Sequence, residues 1–133
     1  MNTVYAREDY LGADEYIDVV RKSGLNRPIE DRGRVERMLA HANLILTARQ
    51  DGRLVGFARS LTDFCFCCYL SDLAVDKACQ GQGIGKRLIE ETRTAAGGTL
   101  TTTLLLSAPT AMTFYQGIKM PNADNCFLYR RKQ

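Results

Sequence analysis

Residues 73–91 read LAVDKACQGQGIGKRLIEE. A short apolar run meets three glycines at alternate positions, Gly81, Gly83 and Gly85, and a helical pattern opens at the last of them. Ile84, Leu88, Ile89, Thr92 and Ala95 fall on one helix face, while Lys86 with Glu90 and Arg87 with Glu91 are i,i+4 pairs on another. The stretch therefore predicts a buried strand, a glycine turn and a helix. Glycines let a ligand approach the main chain closely. A helix start offers unpaired N–H groups and a partial positive charge. Together they predict an anion site, and a phosphate group suits it best.

The spacing excludes two common phosphate loops. A nucleotide-hydrolysing loop needs a glycine five positions before the glycine-lysine pair, and a Ser or Thr after it. Gln80 and Arg87 occupy those positions. The magnesium-binding hydroxyl is thus missing. A dinucleotide fingerprint, G-x-G-x-x-G, would need glycine at Lys86 or Leu88. What remains is Q-x-x-G-x-G, from Gln80 to Gly85. On these residues alone a phosphate cradle and a plain tight turn both stand.

Outward from this stretch, residues 44–75 read as a three-stranded antiparallel meander. Leu44, Leu46 and Ala48 alternate, the Asp51-Gly52 pair signals a hairpin, and apolar residues resume at Leu54 and Val55. A third run, residues 64–75, is rich in aromatic, cysteine and aliphatic residues, as a buried strand should be. Upstream, residues 3–7 suggest a first strand. Two helices follow, over residues 11–21 and from an Asp31 cap through Val35, Met38, Leu39 and Ala42. Downstream, Gly97-Gly98 ends the helix, residues 100–106 form a strand, and Pro109 opens a helix through Phe114 and Tyr115. Residues 122–125 would turn into a last strand at 126–130. The expected class is α/β (α+β): one domain over residues 1–133, with one mixed, mostly antiparallel sheet and about four flanking helices.

Composition narrows the function classes. A chain of 133 residues, 45% apolar and 25% charged, suits one globular domain. A net charge of +3 does not argue for nucleic acid, and Arg130-Arg131-Lys132 reads as a solvated end. No apolar run approaches the roughly 18 residues of a membrane span. The polar start and five cysteines point to reduced thiols and a cytoplasmic setting. Cys65, Cys67 and Cys68 crowd one strand, but they lack metal-ligand spacing and a neighbouring histidine, so no metal is expected. His41 reads as a surface or structural residue.

The motifs resemble those of the GNAT superfamily of N-acetyltransferases, over essentially the whole chain. Leu73-Ala74-Val75 before the loop, Gln80-Gly81-Gln82-Gly83-Ile84-Gly85 within it and Ala111-Met112-Thr113-Phe114-Tyr115 downstream carry the resemblance. It implies that acetyl-CoA is the cosubstrate. Its pantetheine arm would lie on a splayed strand edge at Leu73, Ala74 and Val75. Its pyrophosphate would lie on the amides of Gln80, Gly81, Gln82, Gly83, Ile84, Gly85 and Lys86. Tyr115 matches the family's usual tyrosine, a proton donor to the leaving thiolate. Two departures stand out. Lys119 occupies the position of the usual helix-ending glycine, which predicts a distorted helix end. Ala108 replaces an asparagine that often contacts CoA.

Amide formation also calls for an oxyanion donor and a route for the amine proton. A strand amide at Ala74 or Val75 can serve the first. Asp72, on the same strand, is the candidate base acting through a water. In an ideal strand Tyr69 and Ser71 face away from it, unless a bulge intervenes. Phe64, Phe66, Tyr69 and the loose segment 22–30 are candidates to line the acceptor pocket. The expected acceptor is a primary amine of a small molecule or protein, with no nucleic-acid or membrane partner and a possible homodimer. A non-catalytic acyl-CoA-binding module and a phosphate-loop interaction domain are the competing readings.

Overall fold

Asp51 and Gly52 adopt φ of 50° and 79°, the paired left-handed values that a tight hairpin turn demands. They join β2 (Leu44–Gln50) to β3 (Arg53–Thr62), and β4 (Cys67–Val75) completes the meander. The computed structural model describes residues 2–133. β1 (Val4–Arg7) pairs antiparallel with β2, and β5 (Thr102–Leu104) pairs parallel with β4, so the order is β1-β2-β3-β4-β5. Helices α1 (Ala13–Ser23), α2 (Arg32–His41), α3 (Ile84–Ala95) and α4 (Met112–Gly117) complete the single α+β domain. No helix among the described residues is long and apolar enough to cross a membrane.

The sheet separates two cores. On one face Leu44, Leu46, Ala48, Val55, Ala58, Cys68 and Leu70 pack with Ile84, Leu88 and Ile89 of α3. On the other Ile45, Leu54, Phe57 and Ala74 pack with Tyr16, Val19 and Val20 of α1 and Val35 and Leu39 of α2. Period-two alternation alone does not produce this division. Ala48 pairs with Gly56 and Arg49 with Leu54, leaving Val55 as an extra residue in β3. Arg59 pairs with Asp72 and Ser60 with Leu70, leaving Ser71 as an extra residue in β4. Each bulge reverses the side-chain parity beyond it. Leu70 and Leu73 therefore serve the same core, although three positions separate them.

The C-terminal third departs from the sequence expectation. Strand character over residues 100–106 is confined to Thr102–Leu104, because Gly97 and Gly98 turn through positive φ into a 3₁₀ turn. The expected strand at 126–130 is absent; residues 126–133 are exposed and form no regular element or ladder pair. The helix end at Lys119 is not distorted. Lys119 adopts the left-handed conformation itself, at φ 60°. Its N–H donates to the Gln116 carbonyl (3.0 Å) and the Met120 N–H to the Tyr115 carbonyl (3.1 Å), the pair of bonds that closes a helix in a left-handed cap. Lysine there carries a backbone strain that glycine avoids. Lys119→Gly should raise stability by about 1 kcal/mol, read as a higher denaturation midpoint at unchanged m-value.

Candidate active site

β4 is paired along one edge only for most of its length. β5 meets it at Cys67, Cys68 and Tyr69 and then ends, so residues 70–75 have no strand partner on that side. An unpartnered strand edge presents main-chain donors and acceptors to an extended ligand. Leu73, Ala74 and Val75, the residues expected to hold a pantetheine arm, lie on this edge. The Gln80 Nε2 donates to the Val75 carbonyl at 3.2 Å, which ties the strand end to the loop that follows.

The strand leads through a 3₁₀ turn (Lys77–Cys79), capped by the Asp76 carboxylate on the Ala78 N–H (2.9 Å), into the glycine loop. Gly81 and Gly83 have φ of 83° and 79°, and a Cβ at either would meet nothing within 4 Å. Both need glycine for backbone conformation, and both face open space. Gly83 is the N-cap of α3 and has no side chain to satisfy the first turn. The first helical bond runs from the Arg87 N–H to the Gly83 carbonyl, so the amides of Ile84, Gly85 and Lys86 have no partner within the helix. The arrangement leaves main-chain donors open at the N-terminus of a three-turn helix, a setting whose chemistry suits an anion.

The remaining residues of the predicted cradle divide by role. Ile84 is buried in the α3 core, and a Cβ on Gly85 would come within 2.9 Å of Phe114 Cζ. Gly85 is thus small because the Phe114 ring sits on the helix start. Gln82 Oε1 accepts from Gln50 Nε2 at 3.1 Å, so that side chain braces the loop against β2. Arg87 donates to Glu91 (2.8 Å) and stacks on Tyr5 at 4.6 Å, which occupies it elsewhere. Lys86 is the exposed cation left at the helix start.

Asp72 does not have the setting of a base. It is fully buried, and its carboxylate is surrounded by donors. Arg59 Nε (2.5 Å) and the Tyr16 hydroxyl (2.7 Å) reach Oδ2, while Arg27 Nε (2.7 Å) and the Ser71 hydroxyl (3.2 Å) reach Oδ1. Burial would push the Asp72 carboxyl up, but the hydrogen bond and charge of Arg59, with those of Arg27, hold it below the usual carboxylate range. A carboxylate stabilised in this way is a poor proton acceptor. Its work is to anchor the α1–α2 loop to the bulge, where Arg27 Nη2 also takes the Ser71 carbonyl at 2.6 Å.

Tyr115 is half-buried beside the α3 core and stacks edge-on with Phe114 at 5.0 Å. Burial raises its phenol above the ordinary value, and the Arg27 charge opposes that rise. Tyr115 therefore stays protonated near neutral pH. The same Arg27 that holds the bulge is close enough to act on it. Of the proposed pocket residues, Tyr69 borders one cleft, and Asn26, Arg27, Pro28 and Glu30 of segment 22–30 border another. Phe64 is packed against the core under Arg7, and Phe66 projects into solvent. Sequence reasoning missed Arg27, Arg59 and Tyr16. The available signal for Arg59 was an arginine inside one apolar strand and an aspartate inside the next, Asp72, since buried charges need partners.

Residues 20–118 match the family model for the acetyltransferase (GNAT) domain. The chain belongs to the GNAT acetyltransferase family. A probable acetyltransferase from methicillin-resistant Staphylococcus aureus superposes with a TM-score of 0.80 at 18% identity, over 98% of this chain and 99% of that one. A GNAT family protein from Streptococcus pneumoniae gives 0.75 at 17%, over 99% and 100%. An aminoglycoside N-acetyltransferase solved with CoA gives 0.73 at 14%, over 99% and 96%. No curated protein matches the chain in sequence.

Removing the Asp72 charge strands the buried Arg59 guanidinium and unpairs the half-buried Arg27. Asp72→Ala should cost about 3–5 kcal/mol, measured by denaturant unfolding at neutral pH. Because the folded carboxyl lies below its unfolded value of about 3.9, its contribution is complete above that value. It is lost as pH falls through the folded value. The wild type should therefore show this acid-dependent loss, and the variant should lack that part of it.

Proposed function

We propose that the protein is an acetyl-CoA-dependent N-acetyltransferase that moves the acetyl group directly to a primary amine. The observation that carries this reading is the continuous path from the open β4 edge to the uncapped start of α3, with Gly81 and Gly83 in left-handed conformations over open space. A long ligand with an amide-bearing arm and a diphosphate matches both halves of that path. Acetyl-CoA supplies the activated acyl carbon.

The residues of the chain account for the rest. The amides of Gly83 to Lys86 and the helix dipole hold the diphosphate. A main-chain N–H at Ala74 or Val75 donates to the thioester oxygen as negative charge builds on it. The amine nitrogen forms its bond to the acyl carbon, the carbon–sulfur bond breaks, and the sulfur leaves with the electron pair. Tyr115, held protonated by its burial, gives its proton to that sulfur and recovers one from solvent. The amine gives up its proton to water, because Asp72 is committed to Arg27 and Arg59.

Titration with acetyl-CoA, followed by thiol release against a panel of amines, tests the reading. Binding without release from any amine would leave a binding module rather than an enzyme, and no binding would remove both. Gly83→Asp places a side chain and a negative charge in the cradle, and should weaken acetyl-CoA binding at least ~100-fold while the fold is retained. Tyr115→Phe should lower kcat about 100-fold with acetyl-CoA affinity unchanged. It should also abolish the decline in rate that the wild type shows where the phenol ionises, above about pH 10. A rate that survives this substitution across the pH range would remove Tyr115 from the mechanism.

A further inference from the structure

Gln50 closes β2 at the Asp51-Gly52 hairpin and pairs there with Arg53. Its side chain is buried, at 4% exposure, so its amide must find partners inside the protein. It finds three. Nε2 donates to Thr3 Oγ1 (3.0 Å), just before β1, and to Gln82 Oε1 (3.1 Å). Oε1 accepts from the Cys79 thiol, with sulfur and oxygen 3.7 Å apart. Both amide hydrogens are thus engaged. One side chain joins the end of β2 to residues on either side of Gln80-Gly81.

The middle of the glycine loop has little else to hold it. Its start is fixed: Cys79 is buried in the α3 core, and the N–H groups of Cys79 and Gln80 close on the carbonyls of Asp76 (2.8 Å) and Lys77 (3.3 Å). Its end is fixed where the Arg87 N–H meets the Gly83 carbonyl. Between these points, among the described residues, Gly81 and Gln82 make no main-chain hydrogen bond. A Cβ at Gly81 or Gly83 would meet nothing within 4 Å, and glycine has the widest conformational freedom of any residue. Across residues 81–83 the bond from Gln50 to Gln82 is the one side-chain hydrogen bond among the described residues.

Resting on the acetyltransferase reading, we propose that Gln50 is a positioning residue for the donor: through Gln82 it holds Gly81 and Gly83 in their left-handed conformations before acetyl-CoA arrives, and so sets donor affinity without touching the donor. A loop fixed in advance loses less conformational freedom on binding, and that saving appears as affinity. The bond-making end of the site, at Tyr115 and the β4 edge, lies outside the reach of this amide. Loss of Gln50 therefore acts on donor binding and leaves the chemical step alone.

Gln50→Met keeps the length of the side chain and removes the amide. Its Kd and KM for acetyl-CoA should rise about tenfold, roughly what one hydrogen bond contributes, while kcat at saturating acetyl-CoA stays within about twofold. Gln82→Met cuts the same tie from an exposed position and serves if Gln50→Met does not fold. The double variant should lose no more affinity than Gln50→Met alone, because one bond is not lost twice. In the free protein, NMR order parameters of the amides of residues 81–83 should fall from about 0.85 to below about 0.6 in either variant, with those of α3 unchanged. Unchanged acetyl-CoA affinity in the folded variants would overturn the inference. So would additive losses, a fall in kcat as large as that in kcat/KM, or order parameters equal to the wild type. A wild type that does not bind acetyl-CoA would instead count against the acetyltransferase reading, and the order parameters would still decide whether Gln50 holds the loop.

Discussion

A single buried carboxylate organises the bulged end of the open β4 edge. Asp72 brings one negative charge into the interior beneath the sheet, and the structure answers it from three separate segments: Arg59 on β3, Arg27 on the α1–α2 loop and Tyr16 on α1. A buried charge without partners would cost several kcal/mol. The loop carrying Arg27 is therefore held against β4, although residues 24–31 form no regular element of their own. The bulge at Ser71 makes this possible, because it turns Asp72 towards α1 and α2 and leaves the Ser71 carbonyl for Arg27.

The bulge and the open strand edge are parts of one arrangement. β5 stops pairing at Tyr69, just before the irregular stretch of β4, and the edge beyond it has no strand partner. At the far end of that edge the chain turns through Gly81 and Gly83 to start α3 with no capping side chain. Natural sheets usually cover such edges, and helices usually cap such starts. Here both features are left available in succession, while the rest of the sheet is closed by α3 on one face and by α1 and α2 on the other.

The sequence was legible where local chemistry decides conformation. The Asp51-Gly52 hairpin, the meander, the glycine loop and α3 all follow from turn residues and periodicity. Asp72 was read as a candidate base from its place on β4 alone; the partners that commit it, Arg27, Arg59 and Tyr16, lie on other segments and nothing local in Leu70-Ser71-Asp72 announces them. The role of Gly85 was equally hidden, because the ring that requires its smallness is Phe114, far along the chain. At Lys119 the family pattern suggested a broken helix end, yet the backbone kept the left-handed cap and lysine took the strain. The final strand expected at residues 126–130 had suitable side chains, yet the segment joins neither outer edge of the sheet nor the open edge of β4. Strand propensity measures fit to a neighbour, and this segment has taken none.

These outcomes share a cause that also explains the division of labour in the site. The open edge and the loop after it are built from main-chain groups: glycine conformations, helix amides and a strand edge. Such features depend on residues close together in sequence, so a short motif encodes them. The other end of the β4 edge is built from side chains that converge from distant positions: Asp72 and Arg59 in the sheet, Arg27 on the α1–α2 loop and Tyr16 on α1. No local pattern links them. Main-chain recognition suits a ligand that stays the same across many proteins, since it tolerates side-chain change. Side-chain recognition suits a ligand that differs from one protein to the next. The part of the candidate site that sequence reveals is therefore the part made by local main-chain geometry, and the part that needs the folded structure is the part made by side chains from distant positions.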